Sequence, residues 1–314
     1  MKENKDLIPV GGQAVIEGVM MRSPHSVSVA VRKPDGKILV RSVPYTSWTA
    51  RNKFWGLPII RGGVVLMESL YWGIKTLTFS GDVAMEEEDK KNGKEKKRQK
   101  KSGMSAFRTA LMLTVSLTVG LLIFFYAPLM LTDALGIRSG VWFNLTDGGI
   151  RLLFFLGYLM LIAWMKDIRR IFEYHGAEHK SIFAYENGLP LTIENTKSFT
   201  THHPRCGTSF LLIVMVVSII VFMFLGRPET LMDRLVRLLF VPVIGGLSYE
   251  LIRFSGKGYR NKIGAILVAP GLWLQRITTK EPDGFQLEVA FAALKAALEP
   301  NDTKKEYLLE GGSS

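Results

Sequence analysis

Long runs without charge alternate along this chain with short basic segments, and the lengths of the runs define its elements. Between Arg108 and Asp133, TALMLTVSLTVGLLIFFYAPLMLT carries no charge and is long enough to cross a hydrocarbon core, which needs roughly 20 apolar residues. CGTSFLLIVMVVSIIVFMFLG, between Arg205 and Arg227, is equally clean and predicts a second span. GGIRLLFFLGYLMLIAWMK predicts another, with Arg151 near one end, from where its guanidinium can snorkel to the interface. LLFVPVIGGLSYELI, with Pro242 and Gly245-Gly246 between the charges of Arg237 and Glu250, predicts a kinked fourth helix. IGAILVAPGLWLQ is too short to cross and has Pro270 in its middle, so it is expected to re-enter, lie at the interface or pack against protein.

A different pattern precedes the membrane. SVSVAVRKPDGKILVRSV alternates apolar and polar residues on both sides of a Pro-Asp-Gly turn, the signature of a β-hairpin. GLPIIRGGVVLMESLYWGIKTLTFSG follows with apolar residues at helical spacing. The predicted organisation is an N-terminal α/β domain over 1–84 and a charged linker over 85–104, disordered because it has nothing to bury. A transmembrane bundle over 105–256 follows, then a C-terminal segment over 257–310. In that last segment Leu287, Phe291, Leu294 and Leu298 form one stripe of an amphipathic docking helix. The fold expected is thus an α-helical polytopic membrane protein of about four transmembrane helices, with a small N-terminal α/β cytoplasmic domain containing a β-hairpin.

Charge orients this bundle. The 314 residues hold 40 Lys and Arg against 28 Asp and Glu, a net charge of +12. The basic residues gather before the first span and in the connections 166–206 and 253–280, whereas DALGIRSGVWFNLTD and GRPETLMDR carry few. Positive-inside bias then places both termini in the cytoplasm of a multi-pass cell-membrane protein, with the last two stretches as external loops. The N-terminus has no apolar core after its charges, so the first hydrophobic helix is expected to act as the membrane signal. One cysteine excludes an intramolecular disulfide framework.

Candidate chemistry concentrates in the cytoplasmic connection 166–207. Four of the five histidines and the one cysteine fall in FEYHGAEHKSIFAYENG and HHPRCGTSF. On a helix His175 and His179 stand one turn apart on a shared face, a metal-ligand spacing. With Glu178 they read H-x-x-E-H, the order of inverted zinc peptidases, in which the glutamate acts as general base. Two surface histidines at a membrane interface would read the same way. His203 and Cys206 supply further zinc-type donors, and four ligands would close a tetrahedron as structural sites do. A catalytic site needs either His203 or Cys206 outside the shell, with Glu178 as general base. Cys206 as a nucleophile activated by His203 is a third reading, weaker because no orienting third group is evident.

GGQAVIEGVMMRSP embeds Gln13, Glu17 and Arg22 in an apolar segment but lacks phosphate-loop spacing. Its plain reading is a tight turn entering a strand. Its sharper reading makes Gln13 and Glu17 hydrogen-bonding supports of the histidines, and Arg22 or Arg205 a clamp for a substrate phosphate or carboxylate.

Together GGQAVIEGVMMR, YHGAEHKSIFAYE, HPRCGTSF and EPDGFQLEVAFAALK closely resemble the DUF1385, or YqhQ-like, family of uncharacterised bacterial membrane proteins. The resemblance covers nearly the whole chain and implies a metal-dependent enzyme of undefined substrate, with His203, not His202, as the family-like histidine. Three function classes follow. The first is a membrane-embedded metal-dependent, zinc-type hydrolase with its site at the cytoplasmic face. The second is a non-catalytic factor whose basic cap binds anionic lipid, RNA, the ribosome or a membrane-protein biogenesis complex. A transporter ranks third, because the two cleanest spans contain no ionisable residue.

Overall fold

The computed structural model describes residues 7–91, 103–258, 262–299 and 303–311. The chain opens with a meander of β1 (Gly11–Val15), β2 (Gly18–Arg22), β3 (Ser26–Arg32) and β4 (Ile38–Pro44), followed by the short α1 (Trp48–Arg51) and the long α2 (Ile60–Lys91). The membrane segments are α3 (Gly103–Leu121), continued through a wide π turn into α4 (Ala127–Ala134), and α5 (Gly140–Ala163). After α6 (Lys166–Glu186) and α7 (Ile193–Lys197) come α8 (Gly207–Leu225), α9 (Leu231–Leu239), α10 (Val241–Gly258) and α11 (Lys262–Thr278). The chain closes with α12 (Gly284–Leu298) and β5 (Lys305–Leu309). Four helical stretches are long and apolar enough to cross a membrane: Thr114–Ala134, Gly140–Ala163, Gly207–Leu225 and Leu231–Phe254.

The hairpin expected around Pro-Asp-Gly is the β3–β4 pair, with Arg32 opposite Ile38 and Ser26 opposite Pro44. It is the centre of a larger antiparallel sheet in the order β1-β2-β3-β4-β5, so the last strand of the chain pairs with β4, Ile38 opposite Leu309. Alternation gives this sheet two buried faces. Val15, Met20, Val27, Val29 and Val31 pack with Val83, Phe79 and Trp72 of α2. Val19, Met21, Ala30, Ile38 and Val40 meet α6 and α12 through Tyr174, Ala177, Leu287 and Leu294. The polar half of the SVSVAVR alternation is also buried: Ser26 and Ser28 donate to the carbonyls of Ala297 and Ala293 at 2.7 and 2.6 Å. The alanines of α12 let it approach closely enough for those bonds to form.

Several boundaries differ from the sequence expectation. The charged stretch predicted as a linker begins as helix, because α2 runs on to Lys91 and α3 starts at Gly103; residues 92–102 lie outside those described. The supposed external loop 133–147 is mostly helical, since α5 begins at Gly140. Arg151 therefore starts well inside a span, and its side chain reaches back along the helix: its Nη2 donates to Asp147 at 2.9 Å, one turn nearer Gly140. The segment around Pro270 takes one of its three expected forms, packed against protein: it is a full helix lying on α8 and α10.

What positions the connection 166–207 is a strap formed by the α11–α12 link. Met165 leaves helical geometry (ψ 129°), so α6 turns away from α5 and runs under the sheet. The strap crosses it at Gly176, where a Cβ would meet the Lys280 carbonyl at 2.0 Å. Lys280 N–H donates to the Phe172 carbonyl at 2.9 Å, and the buried Lys180 pairs with Glu281. Gly176→Ala is therefore expected to lower stability by about 1–3 kcal/mol, since backbone on both sides must shift. Gly63→Ala on α2, where nothing lies within 4 Å of the added methyl, should be neutral or stabilising. Melting temperatures of the two variants check the contrast, and equal melting temperatures would refute it.

Candidate metal centre

The carbonyls of two threonines define this cluster. His175 Nδ1 lies 2.8 Å from the Thr278 carbonyl, and His179 Nδ1 hydrogen-bonds the Thr201 carbonyl. A carbonyl only accepts, so each Nδ1 carries the proton and each Nε2 keeps its lone pair. Both lone pairs point into one small volume with the Cys206 sulfur: the three donor atoms lie within 4.8 Å of one another, and His175 Nε2 is 3.2 Å from Sγ. His179 is buried, and its Nε2 faces the Cys206 thiol. Cys206 caps α8, its sulfur accepting from Thr208 N–H at 3.4 Å. Burial pushes the thiol up, but His179 and Thr208 outweigh that and hold it below its ordinary value, as expected at a helix N-terminus. His179 is itself held below its ordinary value by burial and by His175. Two imidazoles oriented by carbonyls and an acidified thiol are a donor set that suits zinc.

Glu178 lies beside this group. Its carboxyl is hydrogen-bonded by the backbone N–H of Gly12, and its Oε2 is buried without a partner. A Cβ on Gly12 would sit 3.0 Å from the Glu178 Cδ and 2.6 Å from the Met20 carbonyl, so only glycine lets β1 come this close. Burial is the largest influence on the carboxyl and pushes it up to about 7. His175 remains half-buried, which makes it the accessible edge of the cluster.

Other predicted site residues take different places. His203 is adjacent, its ring 5.6 Å from that of His179, but it is not among the three grouped donors. Its Nδ1 accepts from Arg205 N–H at 3.3 Å, leaving its Nε2 turned toward Glu186 Oε2 at 3.5 Å. Arg205 pairs with the same Glu186 and so flanks the cluster from outside. Glu17 does not support the histidines: it pairs with Arg170 and accepts from the Tyr174 hydroxyl at 3.3 Å, fastening the β1–β2 turn to α6. Gln13 faces the other side of β1, against Gly73 of α2. Arg22 lies over the Tyr45 ring, 5.6 Å away, on that same far face.

Comparison with known proteins fixes the kinship. Residues 57–300 match the model of the family described as "Protein of unknown function (DUF1385)". The chain belongs to the DUF1385 family. A relative, "Uncharacterized protein YqhQ" of Bacillus subtilis (strain 168), is 32% identical over 306 residues, 95% of each chain. No solved structure matches. His175, Glu178, His179 and Cys206 all lie inside the stretch matched to DUF1385, and Gly12 lies before it.

The residues that sequence reasoning missed are those that act through the backbone. Gly12, Thr201, Thr278 and Gly176 contribute an N–H, two carbonyls and an empty space. Gln275 was missed too, and it acts through its side chain: its Oε1 accepts from His203 N–H at 2.7 Å and its Nε2 donates to the His203 carbonyl at 2.9 Å, clamping the turn to α11. The sequence signal available was the glycine inside each motif, which marks a close backbone approach.

A carboxyl raised from its usual 4.5 to about 7 favours the folded state while it is protonated. That contribution is complete below about pH 4.5 and is lost as pH rises to 7, about 3 kcal/mol in all. Chelator-treated protein is therefore expected to melt at a lower temperature at pH 7.5 than at pH 5, and Glu178→Gln should flatten that slope. An identical slope in the variant would refute it.

Proposed function

We propose that this protein is a membrane-embedded, metal-dependent hydrolase, with zinc held by His175, His179 and Cys206 and with Glu178 as the proton-transferring group. The observation that carries this reading is the convergence of two carbonyl-fixed Nε2 lone pairs and a thiol beside a buried carboxyl that titrates near neutrality. Three protein donors, with His203 turned away to Glu186, correspond to the ligand count of catalytic zinc sites, whereas structural sites use four. A zinc ion there would supply Lewis-acid polarisation of a substrate carbonyl or phosphoryl oxygen. The chain's own part is then proton handling. Glu178 Oε2 takes a proton from the attacking water and returns it to the leaving group, and the Gly12 N–H orients the carboxyl throughout. With zinc bound beside it the carboxyl would ionise more readily, as the proton-accepting half of that transfer needs. Half-buried His175 marks the side from which a substrate would enter.

The bias of basic residues supports placing this cluster and both termini on the cytoplasmic side. The sheet supports the pairing of the termini independently. β4 and β5 are hydrogen-bonded neighbours, so the chain between them crosses the bilayer an even number of times. A cysteine at Ser139 is expected to react with an impermeant thiol reagent on intact cells and one at Lys280 only after permeabilisation; the reverse pattern would invert the assignment.

A net charge of +12 favours a second reading, in which zinc merely braces a basic cytoplasmic cap that binds anionic lipid, RNA or the ribosome. One pair of variants separates the two. Purified protein is expected to carry about one zinc per chain, lost in His175→Ala. Glu178→Gln should retain zinc and fold yet fail to complement a deletion strain, a loss of about 10²–10⁴-fold in rate for a missing general base. A Glu178→Gln protein with zinc and full complementation leaves the structural reading, and wild-type protein without zinc removes both.

A further inference from the structure

The opposite end of the bundle carries a second charged cluster. α8 has 19 residues, so at 1.5 Å per residue Cys206 and Gly226 stand roughly 28 Å apart, about the thickness of a hydrocarbon core. Around Gly226 four arginines gather from α5, the α8–α9 loop and α9. Asp133 accepts from Arg227 at 3.0 Å and from Arg234 at 3.4 Å, and Asp147 accepts from Arg151 at 2.9 Å. Arg237, 1% exposed, donates to Asn144 Oδ1 at 2.7 Å and to the Gly226 carbonyl. The ring of Phe222 lies 4.9 Å from the Arg237 guanidinium and 5.6 Å from that of Arg151. The nearby Asp233 is engaged with Thr230 in the α9 cap.

Four cations thus face three carboxylates, Asp133, Asp147 and Asp233, and the hydrogen bonding is unbalanced in the same sense. Arg237 Nη1 and the Nε atoms of Arg151, Arg227 and Arg234 are buried with no partner among the described residues, against one orphan acceptor here, Asp147 Oδ1. Unpaired buried guanidinium N–H groups are costly where neither water nor carboxylate reaches them. The complement is an anion with several acceptor oxygens and a hydroxyl for Asp147. Arg227 and Arg234 are each about a quarter exposed (27% and 24%), which leaves a way in. Beside them α9 exposes Leu231, Leu235 and Leu239, an apolar flank on which acyl chains can lie.

We infer that this arginine cluster binds a phosphate-bearing anion, most simply the headgroup of an anionic lipid such as phosphatidylglycerol, in the leaflet opposite the histidine cluster. The test follows the melting temperature of purified full-length protein in detergent as phosphatidylglycerol, phosphatidylcholine or inorganic phosphate is added. Phosphatidylglycerol should stabilise the wild type and phosphatidylcholine should not. Arg227→Gln/Arg234→Gln should bind phosphatidylglycerol about tenfold more weakly, one lost charge-assisted hydrogen bond or more, whereas Lys75→Gln on α2 should leave the response intact. Arg234→Gln alone serves if the double variant does not fold. Equal protection by inorganic phosphate, lost in the same variants, supports the anion site and assigns it to a soluble phosphate. An equal response to phosphatidylcholine, or a phosphatidylglycerol response undiminished in the variants, overturns the inference.

Discussion

Two hydrogen bonds from imidazole Nδ1 atoms to backbone carbonyls determine what the histidine cluster can be. If either carbonyl were withdrawn, the ring could take the other tautomer or rotate, and the lone pair facing Cys206 would no longer be fixed. Both carbonyls come from segments outside the helix that bears the histidines: Thr201 from the turn before α8, and Thr278 from the end of α11. The chemistry of the cluster is thus coupled to how α8 and α11 leave the bundle, and Gly176 and Gln275 are the contacts that enforce this coupling. A shift at any of these four residues would act on the donors without touching them.

The sheet performs the corresponding service for Glu178. Glycine at position 12 lets β1 run against α6 and deliver an N–H to the carboxyl, while Glu17 at the next turn fastens the same strand pair through Arg170. The polar residues that looked like site members from their sequence neighbourhood hold the scaffold instead. Alternation explains why: Gly12 and Gln13 are successive strand residues, so when one faces α6 the other must face α2.

The sequence made some of this legible. Apolar run length revealed four spans because crossing a bilayer imposes a minimum length that few other structures need. Period-two alternation revealed the β3–β4 hairpin, and H-x-x-E-H spacing put His175, Glu178 and His179 together because helical geometry does so within five residues. What escaped was long-range. β5 pairs with a strand more than 260 positions earlier, and no local signal announces it. Arg151 was misplaced because α5 starts earlier than its hydropathy suggests, with Asn144 and Asp147 buried in its early turns. His203 was read as a zinc-type donor three residues from Cys206; in the fold its Nδ1 accepts from the N–H of Arg205 and its Nε2 faces Glu186, contacts that sequence spacing does not announce.

The closing strand also imposes an order on biogenesis. β1 to β4 emerge before any membrane span is made, whereas β5 and α12 follow all of them, so the β4 edge and the part of the Val19, Met21 and Val40 face that α12 covers stay open throughout insertion, with α6 available only after the second span. An open edge and a bare apolar face invite mispairing, and the nascent sheet must be shielded or left unformed until then. Closure of the sheet is therefore a completion signal: it can occur only when every span has been synthesised and both flanking segments have remained on one side.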